Sequence, residues 1–479
     1  MVRRVVLGVD SSTQSVKVEA RELGSGAELA IGTAKHPPTT PPVSEQDPRA
    51  WWRALVAATA ELGDVRDDVV AISVAGQQHG CVLLDESGTP VRPAKLWNDT
   101  TSAPNAAALV ARFGAATWAE RVGLVPVASF TISKLAWLAE HEPDALERTH
   151  RVMLPHDYLT WRLTDEHVTD RGDASGTGWY DPSRDALVPE LLAAAVGTDD
   201  WSDRLPTVLG PDAAAGHLTE AAARELGLPA GIVVGPGSGD NMGAAMGLGL
   251  RSGDVAVSLG TSGVVFAVSE TATHDPSGAV AGFASATGSF LPLVCTLNAT
   301  KVTDTVARWL GTDAPGVAEL AMQAIADPGS ALLVPYFDGE RTPNLPDATG
   351  TLHGLTTGTT REQIALAAHD GVLCCVLYGV DALRAVGATI DGRVFLVGGG
   401  SRSVAYRQRC ADLLRSPIVV PHSVETVATG AAAQAAAIHD ASSAEEVARR
   451  WELGAGTDIE PRNDVGDLRE RYAVLSSGA

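Results

Sequence analysis

No Lys/Arg-rich block occurs anywhere in this sequence, and acidic residues outnumber basic ones 58 to 36, for a formal net charge of −22. That balance disfavours nucleic acid and anionic membrane surfaces as partners. It also means that a phosphate site has to be built locally, from backbone amides and a metal ion. Cysteines are few. The five, at positions 81, 295, 374, 375 and 410, form no C-x-x-C pair and no His/Cys cluster with zinc spacing. They read as reduced core residues of a cytoplasmic protein. No run of about 18 uninterrupted apolar residues appears, so no bilayer-spanning segment is expected. The apolar start, Val5 to Val9, ends at Asp10, too early for a secretory leader. There is no G-x-x-x-x-G-K-[ST] loop, and the run Gly398-Gly399-Gly400-Ser401 lacks the G-x-G-x-x-G dinucleotide pattern.

What is present is an alternation of strands and helices. A chain of 479 residues exceeds one ordinary core, so two large domains with a small C-terminal extension are expected. Val5 to Val9, a polar turn at Asp10 to Thr13, and the alternation Val16, Val18, Ala20 predict a β-hairpin at the start of a sheet. A helix is predicted from Asp47 to Leu62, strands at Val69 to Val74 and Val82 to Leu84, and helical patterning through much of 103–230. Ile232 to Val234 read as a strand that breaks at Gly235-Pro236-Gly237-Ser238-Gly239-Asp240, ahead of a small-residue helix from Asn241 to Leu248. Val255 to Leu259, Gly260 to Gly263 and Val264 to Val268 then repeat the opening hairpin, a short internal duplication. Thr360 to Gln363 has capping-box spacing ahead of a long helix. Val394 to Val397, the glycine run, a helix to about Arg415 and Ile418 to Val420 form a βαβ unit. After an amphipathic helix near Ser443, the last 25 or so residues look polar and loosely held. The pattern implies α/β layers with a cleft between two domains.

Three strand-ending turns, Gly8 to Thr13, Gly260 to Gly263 and Gly398 to Ser401, have the small residues that let backbone N–H groups approach phosphate oxygens. Most such turns exist only because the backbone needs positive φ. Asp10, just after a buried strand, suits a magnesium ion, or else caps its own turn. Asp240 suits a helix N-cap, a general base for phosphoryl transfer, or both.

Taken together, the stretches LGVDSSTQSVK (7–17), SEQDPRAWW (44–52), VAGQQHG (74–80), LWND (96–99), GSGDNMGAAMGLG (237–249), SLGTSG (258–263), GERTP (339–343) and VGGGSRS (397–403) resemble the FGGY family of carbohydrate kinases. The match runs in order to about residue 440, and is nearest to the members that act on D-xylulose. The resemblance implies an actin-like ATPase fold of two ribonuclease H-like domains. These would be 1–247 (sugar, first phosphate loop, catalytic Asp) and 248–440 (nucleotide), with 441–479 a C-terminal helix and tail. It implies ATP and Mg²⁺, with Asp10 at the metal, Asp10, Ser12 and Thr13 in the first phosphate loop, Thr261 and Ser262 in the second, and Gly399, Gly400 and Ser401 at the adenosine. It makes Asp240 the catalytic base, and places Gln78, His79, Trp97, Asn98, Asp99, Asp240 and Asn241 at the sugar. The expected partners are a small sugar and ATP, with a homodimer common in the family. Thr101 stands where the D-xylulose members usually carry Arg, and Asp338 where many relatives have Ser. Both departures bear on which sugar is used: ribulose, gluconate, glycerol or a deoxy-sugar are the alternatives within the family. A non-catalytic sensor on the same fold is disfavoured by the intact catalytic positions.

Overall fold

The computed structural model describes residues 3–197, 201–423 and 425–478. Its framework is two seven-stranded mixed sheets. The first holds β1 (Val5–Ser11), β2 (Ser15–Glu22), β3 (Glu28–Lys35), β4 (Val69–Gly76) and β5 (Val233–Val234). The second holds β6 (Val255–Leu259), β7 (Gly263–Ala267), β8 (Ala281–Ala284), β9 (Phe290–Thr296), β10 (Val394–Val397), β11 (Ile418–Pro421) and β12 (Gly456–Ile459).

The duplication expected from the two hairpins extends to the strand order. In the first sheet β1 pairs antiparallel with β2, β2 antiparallel with β3, and β1 parallel with β4 on its other side. In the second, β6 pairs antiparallel with β7, β7 antiparallel with β9, and β6 parallel with β10. Ser11 lies beside Gly76 in one register, and Ser258 beside Val397 in the other. The parallel strands therefore end together, and their loops emerge side by side at the carboxyl edge, where α/β sheets bind ligands.

Strand alternation divides the first core. Leu7 and Val9 pack with Trp51 and Leu55 of α1 (Pro48–Ala60), whereas Val6 and Ala71 face Ala432 and Ala436. Asp47 caps α1 by accepting from the backbone N–H of Arg49. Two helices then cross between the halves: α2 (Asp240–Gly247) and, far along the chain, α5 (Thr426–Asp440). They touch backbone to backbone. A Cβ on Gly247 would lie 1.8 Å from the carbonyl of Thr426, and one on Gly430 1.9 Å from that of Gly243. The second core surrounds α3 (Arg361–Ala385), whose capping box at Thr360 and Gln363 forms as expected. By length and composition α3 could cross a membrane, but 83% of its most apolar stretch is buried among the strands and helices around it.

Three expectations need correcting. The tail is held: β12 pairs with β11, and the closing helix Leu468–Ser476 buries Leu468 and Tyr472. Its two elements carry too few apolar residues to show a period, and draw their stability from the sheet edge and core they join. The helix after Gly239 starts at Asp240, with Gly239 in the N-cap position. And the glycine run does not feed straight into a helix. A 3₁₀ turn, Gly399–Arg402, intervenes, and Ser403 caps α4 (Val404–Leu414).

Candidate active site

Loops from the carboxyl ends of β4 and β5 meet loops of the second half around a cavity of about 330 Å³. Gln78, His79, Trp97, Asp240, Asn241 and Ser262 all line it, along with Phe130, Phe283 and Arg341. Asn241 Nδ2 donates to Gln78 Oε1 (2.8 Å) and to Asp240 Oδ1 (3.0 Å), which joins the loop after β4 to the start of α2. The close approach needs glycine: a Cβ on Gly239 would lie 2.6 Å from Cγ of Gln78. Burial pushes the Asp240 carboxyl up to about 6, against the lowering effect of the backbone N–H of Asn241. A carboxylate poised there can accept a proton near neutral pH.

His79 has φ of 66°, a left-handed conformation uncommon outside glycine and found where function holds a strained backbone. Its imidazole meets Phe130 edge-on at 5.0 Å and Phe283 at 5.4 Å, one ring from each half of the molecule. Burial, reinforced by the charges of Lys134 and Arg341, holds it well below its usual pKa, so it is neutral. His79 Nδ1 and Gln78 Nε2 are buried with no hydrogen-bond partner. Such atoms are costly to leave bare, and mark a place where a ligand supplies polar groups.

The first hairpin turn is tied to this wall. Thr13 Oγ1 donates to Gln77 Oε1 (3.1 Å) and accepts from Trp97 Nε1 (2.9 Å), while Ser12 closes its own turn onto Ser15 O. Burial, then the charges of Asp240 and Glu425, raise Asp10 to about 7 against the pull of Lys17. Its Oδ1 is buried and partnerless, the environment a cation would relieve. Among the described residues no group of three or more His, Cys, Asp or Glu could hold a metal by itself. That suits Mg²⁺, which takes one or two carboxylates and fills its shell with water and phosphate.

Other expected residues sit outside the cavity. Asp99 is fully buried and saturated: Oδ1 accepts from Thr101 Oγ1 and N and from Lys95 Nζ, and Oδ2 from Ser44 N. It shapes the loop that presents Trp97. Asn98 lies in the same loop with Oδ1 buried and unpartnered. Thr261 is exposed beside Ser262. Gly399, Gly400 and Ser401 lie in the 3₁₀ turn that follows β10, where Ser401 Oγ donates to Gly398 O. The two departures are also explained locally. Thr101 bonds Asp99 and Lys95, and Asp338 pairs with Lys301 at 2.7 Å. Neither lines the cavity.

The sequence reading missed a buried layer behind the site. His156 Nε2 lies 3.1 Å from Asp157, 3.2 Å from Asp170 and 3.5 Å from Asp173. Burial alone would lower the imidazole, but the three carboxylates outweigh it and hold it at about 9. The ring packs under the turn that carries Asp240, since a Cβ on Gly237 would meet His156 Nδ1 at 2.6 Å. Lys134, fully buried, donates to the carbonyls of Ala128 and Ser129 and so fixes the wall that bears Phe130. The one available signal was charged residues inside otherwise helical, apolar patterns.

Comparison with known proteins agrees with this geometry. Residues 5–247 match the N-terminal domain, and 255–438 the C-terminal domain, of the FGGY family of carbohydrate kinases. The chain is 46% identical to the xylulose kinase of Streptomyces rubiginosus over 478 residues, covering 99% of this chain and 96% of that one. The crystal structure of xylulose kinase from Bifidobacterium adolescentis superposes with a TM-score of 0.87 at 39% identity, covering 99% of this chain and 100% of that one. A gluconate kinase structure from Lactobacillus acidophilus, at 20% identity and a TM-score of 0.89 over 99% of this chain and 96% of its own, shares the fold. With both family domains matched over most of its length, this chain belongs to the FGGY carbohydrate kinases.

Proposed function

We propose that the chain transfers the terminal phosphoryl group of ATP to D-xylulose, giving D-xylulose 5-phosphate and ADP. The observation that carries this reading is the set of partnerless polar atoms on Gln78 and His79 in the same cavity as a carboxyl raised to about 6. A neutral imidazole and an amide suit the hydroxyls of a small sugar, and Trp97 offers an apolar face. The names of the relatives at 46% and 39% identity support D-xylulose as the acceptor. The departures at Thr101 and Asp338 lie away from the cavity and leave that acceptor standing.

In the transfer, Asp240 takes the proton of the sugar hydroxyl. The hydroxyl oxygen bonds the γ-phosphorus, and the bond to the bridging oxygen breaks, its electron pair leaving with ADP. Asp10 would hold Mg²⁺, which when bound neutralises phosphate charge. Ser12, the Thr13 backbone, Thr261, Ser262 and the Gly399–Ser401 turn would offer hydroxyls and amides to the nucleotide, and closing of the two halves would exclude water. Residues 1–247 would then carry sugar and base, and 248–440 the nucleotide, with 441–479 an extension. This division is supported by the two sheets, although α5 packs on the first. Reliance on ATP and five unpaired cysteines support a cytoplasmic setting.

A coupled ADP-release assay with ATP and Mg²⁺ across pentuloses, hexuloses, polyols and sugar acids tests the reading. Strong preference for D-xylulose is expected. Preference for another acceptor would reassign the pocket, and silence across the panel would overturn the kinase reading.

A further inference from the structure

The G-E-R-T-P segment, 339–343, has no part in the mechanism above, yet the structure builds it with care. Glu340 is 1% exposed, and its carboxylate collects four donors. Leu297 N (2.5 Å) and Arg341 N (2.7 Å) reach Oε1, while Asn298 Nδ2 (2.9 Å) and Cys375 Sγ (3.4 Å) reach Oε2. Asn298 also donates to Gly339 O at 2.7 Å. The loop is thus pinned to the end of β9 through Gly339 and Glu340, the two residues just before Arg341, and the Arg341 backbone is fixed by the acid next to it. The Arg341 side chain is treated differently. It lines the cavity with Asp240, Asn241, His79 and Ser262, and is the one Lys or Arg among the described residues that do so. Among the described residues no ion pair or side-chain hydrogen bond engages it, although Gly339, Glu340 and the Arg341 backbone are all bonded. Its charge adds to the lowering of the neighbouring His79 imidazole.

An unpaired guanidinium in a half-buried cavity calls for an anion. Asp240 is a poor candidate, because pairing would hold the base in its ionised form and engage the oxygen that must accept the proton. The planar fork of Arg matches a phosphate group, which it can grip with two parallel N–H···O bonds. We propose that Arg341 is a catalytic residue that holds the phosphoryl group as it reaches the sugar, and then the phosphate of the sugar-phosphate product. Arg341 lies in the second half and Asp240 at the head of α2, so the cation and the base would act on one transfer from opposite sides of the cleft. The sugar named in the test rests on the acceptor proposed above.

The test is calorimetric titration, without nucleotide, of D-xylulose and D-xylulose 5-phosphate into wild type, Arg341→Gln and Arg341→Lys. Wild type is expected to bind both. Arg341→Gln is expected to lose tenfold or more in affinity for the phosphate ester and less than twofold for the free sugar, with Arg341→Lys between. In the ADP-release assay kcat should fall about 100-fold for Arg341→Gln, with KM for the sugar little changed. Equal losses for sugar and ester would make Arg341 a wall residue and overturn the proposal, as would unchanged ester affinity. If wild type ignores D-xylulose, the acceptor reading falls on its own, and inorganic phosphate becomes the probe. It must still bind wild type more tightly than Arg341→Gln, and equal binding overturns the assignment.

Discussion

The two halves share a scaffold and differ at one edge of it. Each has a hairpin, a third antiparallel strand and a parallel neighbour that ends level with the first strand. In the first half the loops at that edge carry carboxylates in low-dielectric surroundings, Asp10 raised to about 7 and Asp240 to about 6. Polar atoms nearby lack partners. In the second half the matching loops, 260–263 and 398–401, contain no carboxylate. Thr261, Ser262 and Gly399 are exposed, and offer only amides and hydroxyls. On the function proposed above, a repeated framework places the base in one half and most of the nucleotide contacts in the other. The strand pairing is alike in the two halves, so the difference lies in the loops.

The widest break in this comparison should come from Asp240→Asn. The amide keeps the shape at the first position of α2 but cannot take a proton. kcat is expected to fall by about 10²–10⁴-fold. ATP affinity, measured by calorimetry, should stay within about twofold if the second half binds nucleotide independently of the base. A kcat within about threefold of wild type would remove Asp240 from the chemistry.

Each half also buries an ionic network. In the second, Arg409 grips both oxygens of Asp370 (2.7 and 2.9 Å), and Asp412 is bonded by Gln408, Asn463 and two backbone N–H groups. In the first, one imidazole serves three aspartates, and both oxygens of Asp173 lack a hydrogen bond. Removing either cation should cost about 3–5 kcal/mol in urea unfolding at pH 8. His156→Leu, however, should also lower kcat, because the ring supports the Asp240 turn, whereas Arg409→Met should leave kcat of the folded fraction unchanged. His156→Lys, which restores the charge, should recover most of both losses. If Arg409→Met damaged kcat as much as His156→Leu did, the two networks would have the same role.

The pH dependence sharpens the same contrast with a smaller effect. The pKa of Asp240 is raised in the folded protein, so the base is deprotonated above about 6 and protonated below. kcat/KM for the sugar should fall about tenfold per pH unit on the acid side of that value. The second-half loops carry no titratable side chain, so a fall in MgATP affinity of the free protein as pH drops below 7 should trace to Asp10, whose carboxyl is raised to about 7. An acid limb near 4 would mean that Asp240 is not desolvated in the working enzyme.

How legible all this was depended on the physics that wrote each signal. The hairpins, α1, α3 and the βαβ unit were readable because burial on one face imposes a period of 2 or 3.6 on the apolar residues. The tail was not, because β12 and the closing helix are stabilised by what they join. Gln78, His79, Asp240 and Asn241 were reached through motifs, and the structure brings them to one cavity. Asp99 belonged to the same motif, yet its carboxylate is spent inside the loop on Thr101, Lys95 and Ser44. Adjacency in sequence says nothing about which way a side chain turns. The His156 layer and Lys134 were invisible for a related reason: a buried charge is tolerated only because of partners distant in the chain, and those appear only on folding.

The smallest effect separates two hydroxyls at equivalent places in the duplicated hairpins. Thr13 is committed to the protein, donating to Gln77 and accepting from Trp97. Ser262 is exposed, lines the cavity rim, and its hydroxyl makes no hydrogen bond among the described residues. Ser262→Ala should therefore leave Tm unchanged, as an exposed substitution of this kind costs less than about 0.5 kcal/mol. It should still raise KM for ATP about three- to tenfold, the worth of one hydrogen bond of roughly 1 kcal/mol. Thr13→Ala should act the other way round, loosening Trp97 and Gln77 and so raising KM for the sugar by a similar factor, with a measurable drop in Tm. If both substitutions shifted the same Michaelis constant, the two hydroxyls would serve one ligand, and the contrast between a hydroxyl spent on the wall and one left for the nucleotide would have to be redrawn.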